Sequence, residues 1–385
     1  MHDRTVVALN SILPIFLLPL PPQAGGLYVY AAHYLHPLLG FISAWGYFIG
    51  KTTSAALLTH TFTLYAQQIV PFLHHLHPLM LDAGIISVLI TLNSMGLFIG
   101  GLVQPLFVSM KLIPLSVGVV AGFLYMARYE SILISVPHLS DFITALPLAS
   151  FALMGFEATC SIAHLIEEPE KNARRAILLS FLIAALGAAL FQLGLFLVSG
   201  SALATSVNPY ATFLISLPLT RVIKSLLHAC IFVSLIGGAF SILTSNVWNL
   251  YTLADHGFLP FKQFLTTTIR KRTVPVIALI CEGIIAFVLL VLTMEQTSLQ
   301  YMAVFCQFTS YTLSSGAAFM LFSHALQSKK TLLALAALTI NGAFLIMCIV
   351  FLARSGISLP FFSLLTLGMV MAFCSTWWIG STKKK

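Results

Sequence analysis

The chain has 385 residues, of which 59% are hydrophobic and only 8% charged, and its mean hydropathy is +0.98. A soluble protein of that length carries roughly a quarter of its residues as charges to clothe its surface, so a set of soluble domains is excluded and the chain belongs in a bilayer. Its net charge of +8 then reads as basic residues held in cytoplasmic loops, not as a nucleic-acid surface.

Arg4 followed by the apolar run Val6–Leu20 has the outline of a signal peptide, but Pro-Pro-Gln-Ala-Gly-Gly at 21–26 makes a poor cleavage site. Fifteen helical residues reach only ~22 Å, and Pro14 and Pro19 interrupt the backbone ladder. A re-entrant or interfacial half-helix is expected there, with a strained eleventh crossing as the alternative. Beyond it, ten runs approach the ~20 apolar residues that cross ~30 Å of hydrocarbon. They cover about 38–66, 80–99, 104–127, 142–166, 174–200, 218–252, 274–294, 298–326, 331–353 and 358–380. These runs are continuously apolar and lack the two-residue alternation of a barrel strand. The predicted class is an all-α polytopic membrane protein with about ten full transmembrane helices plus a short N-terminal hydrophobic segment.

Ten crossings put residues 21–37 and the C-terminus on one side of the membrane. Loops on that side hold Lys171, Arg174, Arg175, Lys262, Arg270, Lys271, Arg272, Lys329, Lys330, Lys383, Lys384 and Lys385, whereas the other side has Arg128, Arg221, Lys224 and Arg354. This excess predicts a cytoplasmic C-terminus in the inner membrane. The six cysteines, Cys160, Cys230, Cys281, Cys306, Cys348 and Cys374, lie in apolar runs without a CxxC pattern and read as small buried side chains.

Ionisable residues deep in a span cost roughly 2.5–3.5 kcal/mol each on insertion scales and mark protein-lined cavities. Lys51 lies ~20 Å of helix into the first long run, too far to snorkel, and needs an anionic or carbonyl partner. Glu157 and Glu282 are the carboxylates at depth, so a Lys51–glutamate pair is expected, either as part of a gate or simply fixing helix register. Lys111 sits seven residues into the third run, ~10 Å from its cytoplasmic end. Its amine either snorkels to the headgroups or mimics a bound cation, and an amine removed from water can gain and lose a proton during a cycle.

Residues 149–180 are the most informative stretch, because Gly155 falls inside an apolar run and is followed at once by Phe156 and Glu157. Glycine there permits a helix break whose exposed N–H and C=O groups can bind a zwitterion at the midplane; close helix packing is the other reading of that glycine. Glu157, Ser161 and His164 follow the i, i+4, i+7 spacing and share one helix face, a polar stripe running from the break towards the cytoplasm. His164 reads either as a proton relay or as a satisfied interfacial histidine. His74, His75 and His77 on an outer loop could hold a metal, but no second cluster supplies further ligands and a solvated loop is the simpler reading. No P-loop, GxSxG, HExxH or dinucleotide glycine pattern sits in a credible context, so neither bond-breaking chemistry nor a cofactor or metal is expected.

Several local patterns line up in order. Gln23-Ala24-Gly25-Gly26-Leu27-Tyr28-Val29-Tyr30, then His36-Pro37-Leu38-Leu39-Gly40-Phe41 and Trp45, look like a loop and the start of a third helix. Asn93, Gly96, Gln104 and Lys111 look like a fourth-to-fifth helix connection. Gly155-Phe156-Glu157, Glu168-Pro169, Lys171-Asn172 and Arg175-Ala176-Ile177 look like a sixth helix and its following loop, and Ala254-Asp255-His256-Gly257-Phe258-Leu259-Pro260 with Pro275 like an eighth-to-ninth connection. Together these motifs resemble the amino acid–polyamine–organocation (APC) superfamily of permeases over about residues 21–380, and the sixth-helix pattern is the most specific of them.

The resemblance implies a LeuT-like inverted-repeat transporter fold with a truncated first repeat: two five-helix repeats plus two added helices, and substrate held between the broken first and sixth helices. On that reading residues 1–385 form a single transmembrane domain. Its parts are a remnant N-terminal segment and cytoplasmic loop (1–37), the rest of the first repeat (38–127), the second repeat (142–326) and two additional helices (331–380). Gly155, Phe156 and Glu157 would lie at the unwound part of the sixth helix, Phe151 would close over the substrate, and Met154 would line the same site. Lys111 matches a fifth-helix lysine that takes the place of a bound ion in some proton-coupled relatives. The departure is at the start, where the family's first helix carries a Gly-Ser-Gly-like break that binds the substrate carboxylate; no such triplet precedes Gly25, and Ile12-Leu13-Pro14 stands in its place.

The expectation is therefore a secondary transporter of amino acids or related amines, working by alternating access and driven by protons or a counter-substrate. Lys111, Glu157, Lys51 and His164 are its coupling or gating candidates, the lipid bilayer is its surroundings, and no nucleic-acid partner or fixed oligomeric state is implied. A transport-incompetent remnant or a partner-binding membrane protein is the alternative, and a membrane-embedded enzyme is a disfavoured third reading because no nucleophile–base pair appears at depth.

Overall fold

The structure is a computed structural model, and it describes residues 27–128, 139–161, 166–203, 206, 208–259, 261–268, 274–325 and 328–354. Among the described residues every regular element is a helix. In chain order these are α1 (Leu27–Tyr34), α2 (Pro37–Ile69), α3 (Pro78–Ser94), α4 (Leu97–Arg128), α5 (Leu139–Phe151), the single turn α6 (Ala158–Ser161), α7 (Pro169–Ser199), α8 (Pro209–Ser216), α9 (Arg221–Asp255), the short α10 (Lys262–Leu265), α11 (Val276–Leu292), α12 (Gln296–His324) and α13 (Ser328–Arg354). The apolar runs at Val6–Leu20 and 358–380, and His164, lie outside the described residues.

The local sequence explains where several helices begin. Proline opens α2, α3, α7 and α8, where its missing N–H is no loss. The residue before it often supplies the cap: His36 Nδ1 accepts from the Leu38 N–H at 3.2 Å, His77 Nδ1 from Leu79 at 3.3 Å, and Asn208 Oδ1 from Ala211 at 3.1 Å. His77 thus serves as a helix cap within the histidine loop.

Helix α2 is the axis of the molecule. Its 33 residues span ~50 Å and are buried along most of their length, packed against α9, α11 and α12. Such a buried helix has to satisfy its own hydroxyls, and Thr52, Thr53, Ser54 and Thr59 each donate to the carbonyl four residues back at 2.8–2.9 Å. Where α2 meets α3, His60 Nδ1 lies 2.8 Å from Asp82 Oδ2 and Thr63 donates to Asp82 Oδ1 at 2.5 Å, so this carboxylate is paired although fully buried.

A second group forms where α4 packs on α7 and α9. Gly122 on α4 meets the backbone of Gly194 on α7 so closely that a Cβ added to Gly122 would fall 2.5 Å from the Gly194 Cα, the small-residue contact by which helices associate in lipid. The outer faces of the same helices are apolar and open, with Leu124 66% and Ile183 66% exposed, as a lipid-facing surface requires. Among the described residues four stretches, Val103–Ala127, Lys171–Ser199, Arg221–Asp255 and Ser328–Ala353, are long and apolar enough to cross a membrane, and Pro78–Ser94 and Val276–Leu292 are shorter apolar helices.

One observed boundary differs from the sequence expectation, and one apolar run divides where the glycine break was expected. Helix α4 begins at Leu97, not near 104, because Pro105 and Pro114 lie inside it instead of opening it. The run over 142–166 is not one helix: α5 stops at Phe151 and helical structure resumes only at Ala158.

Candidate functional site

The interruption between α5 and α6 builds the site. Within it the backbone bonds shorten to three-residue steps: Ala152 N–H donates to Ala149 O at 3.2 Å, Leu153 to Ser150 at 3.0 Å and Met154 to Phe151 at 3.2 Å. Gly155 then takes φ +121°, a backbone conformation that side chains bearing a Cβ rarely adopt, and the chain turns without a steric cost. The predicted break at this glycine is thus present in the structure.

Two residues on, Glu157 is fully buried and its carboxylate is met from three directions. Oε2 accepts the Gly155 N–H at 2.9 Å, a local bond that fixes the shape of the turn. Oε1 is ion-paired with Lys51 Nζ and accepts the Tyr47 hydroxyl at 3.4 Å. Lys51 Nζ also lies 5.4 Å from the centre of the Tyr47 ring. The pair therefore ties α2 to the unwound segment, and removing either partner would strand a buried charge at a cost of about 3–5 kcal/mol.

Of the two carboxylates expected as partners for Lys51, the structure selects Glu157. Glu282 on α11 is equally buried but faces a different group: Asn246 Nδ2 on α9 lies 2.8 Å from its Oε1, 3.1 Å from Phe48 O and 3.2 Å from Thr52 Oγ1. That amide fills the space between α11 and α2 which Lys51 would otherwise have to cross.

Beside the break lies a cavity of about 240 Å³. Lys51, Ser54 and Leu58 of α2, Lys111 of α4, and Gly238, Ser241, Ile242 and Ser245 of α9 form its walls, and Phe151, Met154, Gly155 and Ala158 close it on the side of the break. Of the residues singled out from sequence, the structure brings Phe151, Met154, Gly155, Lys51 and Lys111 together around this space, with Glu157 directly behind Lys51. Phe156 points elsewhere, edge-on against Phe181 of α7 with ring centres 5.1 Å apart. Lys111 stands fourteen residues beyond Leu97, ~21 Å along the helix and beyond easy snorkelling reach of that end, and its side chain stays exposed. Its amine has no hydrogen-bond or ion-pair partner among the described residues.

Sequence reasoning missed the serines. Ser241 and Ser245 are one turn apart on α9, and Ser241 Oγ also lies 2.9 Å from Gln104 Oε1 of α4. Hydroxyls at i and i+4 inside an apolar run are a visible signal, but so are the buried Thr52, Thr53 and Thr59 that only bond their own helix.

A broken helix beside a cavity, with a buried acid and two lysines around it, is an arrangement suited to binding a small polar solute. Residues 14–374 match the profile of the family described as amino acid permease. The chain belongs to the amino acid permease family. No curated protein is found to match it. As the resemblance to the APC superfamily led one to expect, the permease is a multi-pass membrane protein, and its family is one of amino acid transporters rather than enzymes.

Proposed function

We propose that the permease is a secondary active transporter of the inner membrane, with its C-terminus in the cytoplasm, that binds its substrate in the cavity beside the break at Gly155 and moves it by alternating access. The observation that carries this reading is the Lys51–Glu157 pair set against the unwound segment. Carbonyl groups at a break bind the ammonium of an amino acid, and Phe151 and Met154, which line the cavity, would cover the substrate. Glu157 acts as the gating or coupling acid, because any movement of the break must stretch or exchange its bonds to Lys51, Tyr47 and Gly155. Lys111 supplies a fixed positive charge where a transporter driven by a metal cation would hold its ion. Protons or a counter-substrate then provide the driving force, and the fold is the LeuT-like inverted repeat.

The test is uptake and exchange of a radiolabelled amino-acid mixture in proteoliposomes, with and without a pH gradient, for the native chain and Glu157→Gln. Saturable uptake that the substitution lowers at least tenfold, in protein that elutes as a folded species, is the expected result. Uptake unchanged by Glu157→Gln would remove the carboxylate from the mechanism.

A further inference from the structure

Counting charge around the cavity leads to its substrate class. Two ammonium groups, Lys51 and Lys111, reach the wall, and no carboxylate among the described residues lines it. The Lys51 charge is spent on Glu157 behind it, whereas Lys111 has no anionic partner among the described residues. One positive charge is left over on the wall, on a side chain that stays open to solvent, and an anionic group on the ligand is its natural counterpart.

The three serines define the complementary end. The Ser54 proton goes to Gly50 O at 2.9 Å, the Ser241 proton to Gly237 O at 2.6 Å or to Gln104, and the Ser245 proton to Ser241 O or Ile242 O at 3.1 Å. Ser54 Oγ also accepts from Gln307 Nε2 at 3.3 Å, whereas the oxygens of Ser241 and Ser245 keep acceptor capacity suited to a ligand ammonium. At about 240 Å³ the space is slightly smaller than the roughly 300–1,000 Å³ of pockets for drug-sized ligands, the right scale for a single small metabolite.

We infer that the permease takes an amino acid of net negative charge, with the side-chain carboxylate on Lys111 and the ammonium between the serine oxygens and the carbonyls of the break. The inference rests on the transport site proposed above and narrows it. Amines, polyamines and basic amino acids are rejected, because each would bring a further positive charge to a wall that already carries one in excess.

Competition for uptake of the labelled amino-acid mixture in proteoliposomes tests this, with unlabelled glutamate, aspartate, glutamine, lysine and putrescine as competitors. Glutamate or aspartate should inhibit at concentrations at least tenfold below glutamine, and lysine and putrescine should fail to inhibit. Lys111→Gln should erase the preference of glutamate over glutamine, while Lys111→Arg keeps it; the native comparison stands by itself should Lys111→Gln not fold. Competition by glutamine, lysine or putrescine as strong as that by glutamate overturns the substrate class and leaves the transport reading intact. Absence of uptake for every amino acid from folded protein overturns both.

Discussion

Lys51 and Glu157 are each nearly or wholly shut off from solvent, so neither charge can fall back on water if its partner goes. Lys51→Met and Glu157→Gln should each lower stability by about 3–5 kcal/mol, and the double substitution should recover most of that loss, since two matched apolar or neutral groups replace a buried pair at little cost. Thermal unfolding in detergent of the four proteins measures the coupling. If the pair serves only to fix helix register, the stable double variant will still transport; if it is part of the gate, the double variant folds and does not. The need for a partner was legible in the sequence from the depth of Lys51 alone. The choice of Glu157 was not, because Glu282 is also at depth and only the packing of α9 shows Asn246 standing between Glu282 and α2.

At the scale of the helix, Gly155 is what turns one apolar run into α5, a bend and α6. Its φ of +121° leaves no low-strain alternative for a side chain with a Cβ, although open space lies where that Cβ would point. Gly155→Ala is therefore expected to cost about 1–3 kcal/mol from backbone strain and to reduce uptake by tenfold or more, with no steric clash at the added Cβ. Retention of native uptake by this variant would show that the shape of the bend is unimportant. This break was legible because Glu157, an acid two residues past a glycine in the middle of an apolar run, has no place on an unbroken lipid-facing helix. The start of α4 was not, since a proline near the head of an apolar run normally marks a first turn. In α4, Pro105 lies eight residues beyond Leu97, a position that spanning helices tolerate. Moving the helix start moved Lys111 from a snorkelling position to the cavity wall.

For the molecule as a whole, composition sufficed to place the chain in a bilayer, and motif order sufficed to name its family. How α2, α4, the α5–α6 break and α9 converge on one cavity depends on contacts between residues more than a hundred positions apart, such as Tyr47 with Glu157 and Gln104 with Ser241, and no local pattern encodes these. The central claim is that substrate occupies this convergence point. Ser245→Cys places a thiol on the cavity wall, and its rate of alkylation by a membrane-impermeant thiol reagent in proteoliposomes, with and without saturating transported amino acid, reads occupancy directly. The account predicts that substrate slows labelling at least fivefold while D-isomers or non-transported amino acids do not. Labelling at an unchanged rate, in a variant that still transports, would place the substrate elsewhere and contradict it.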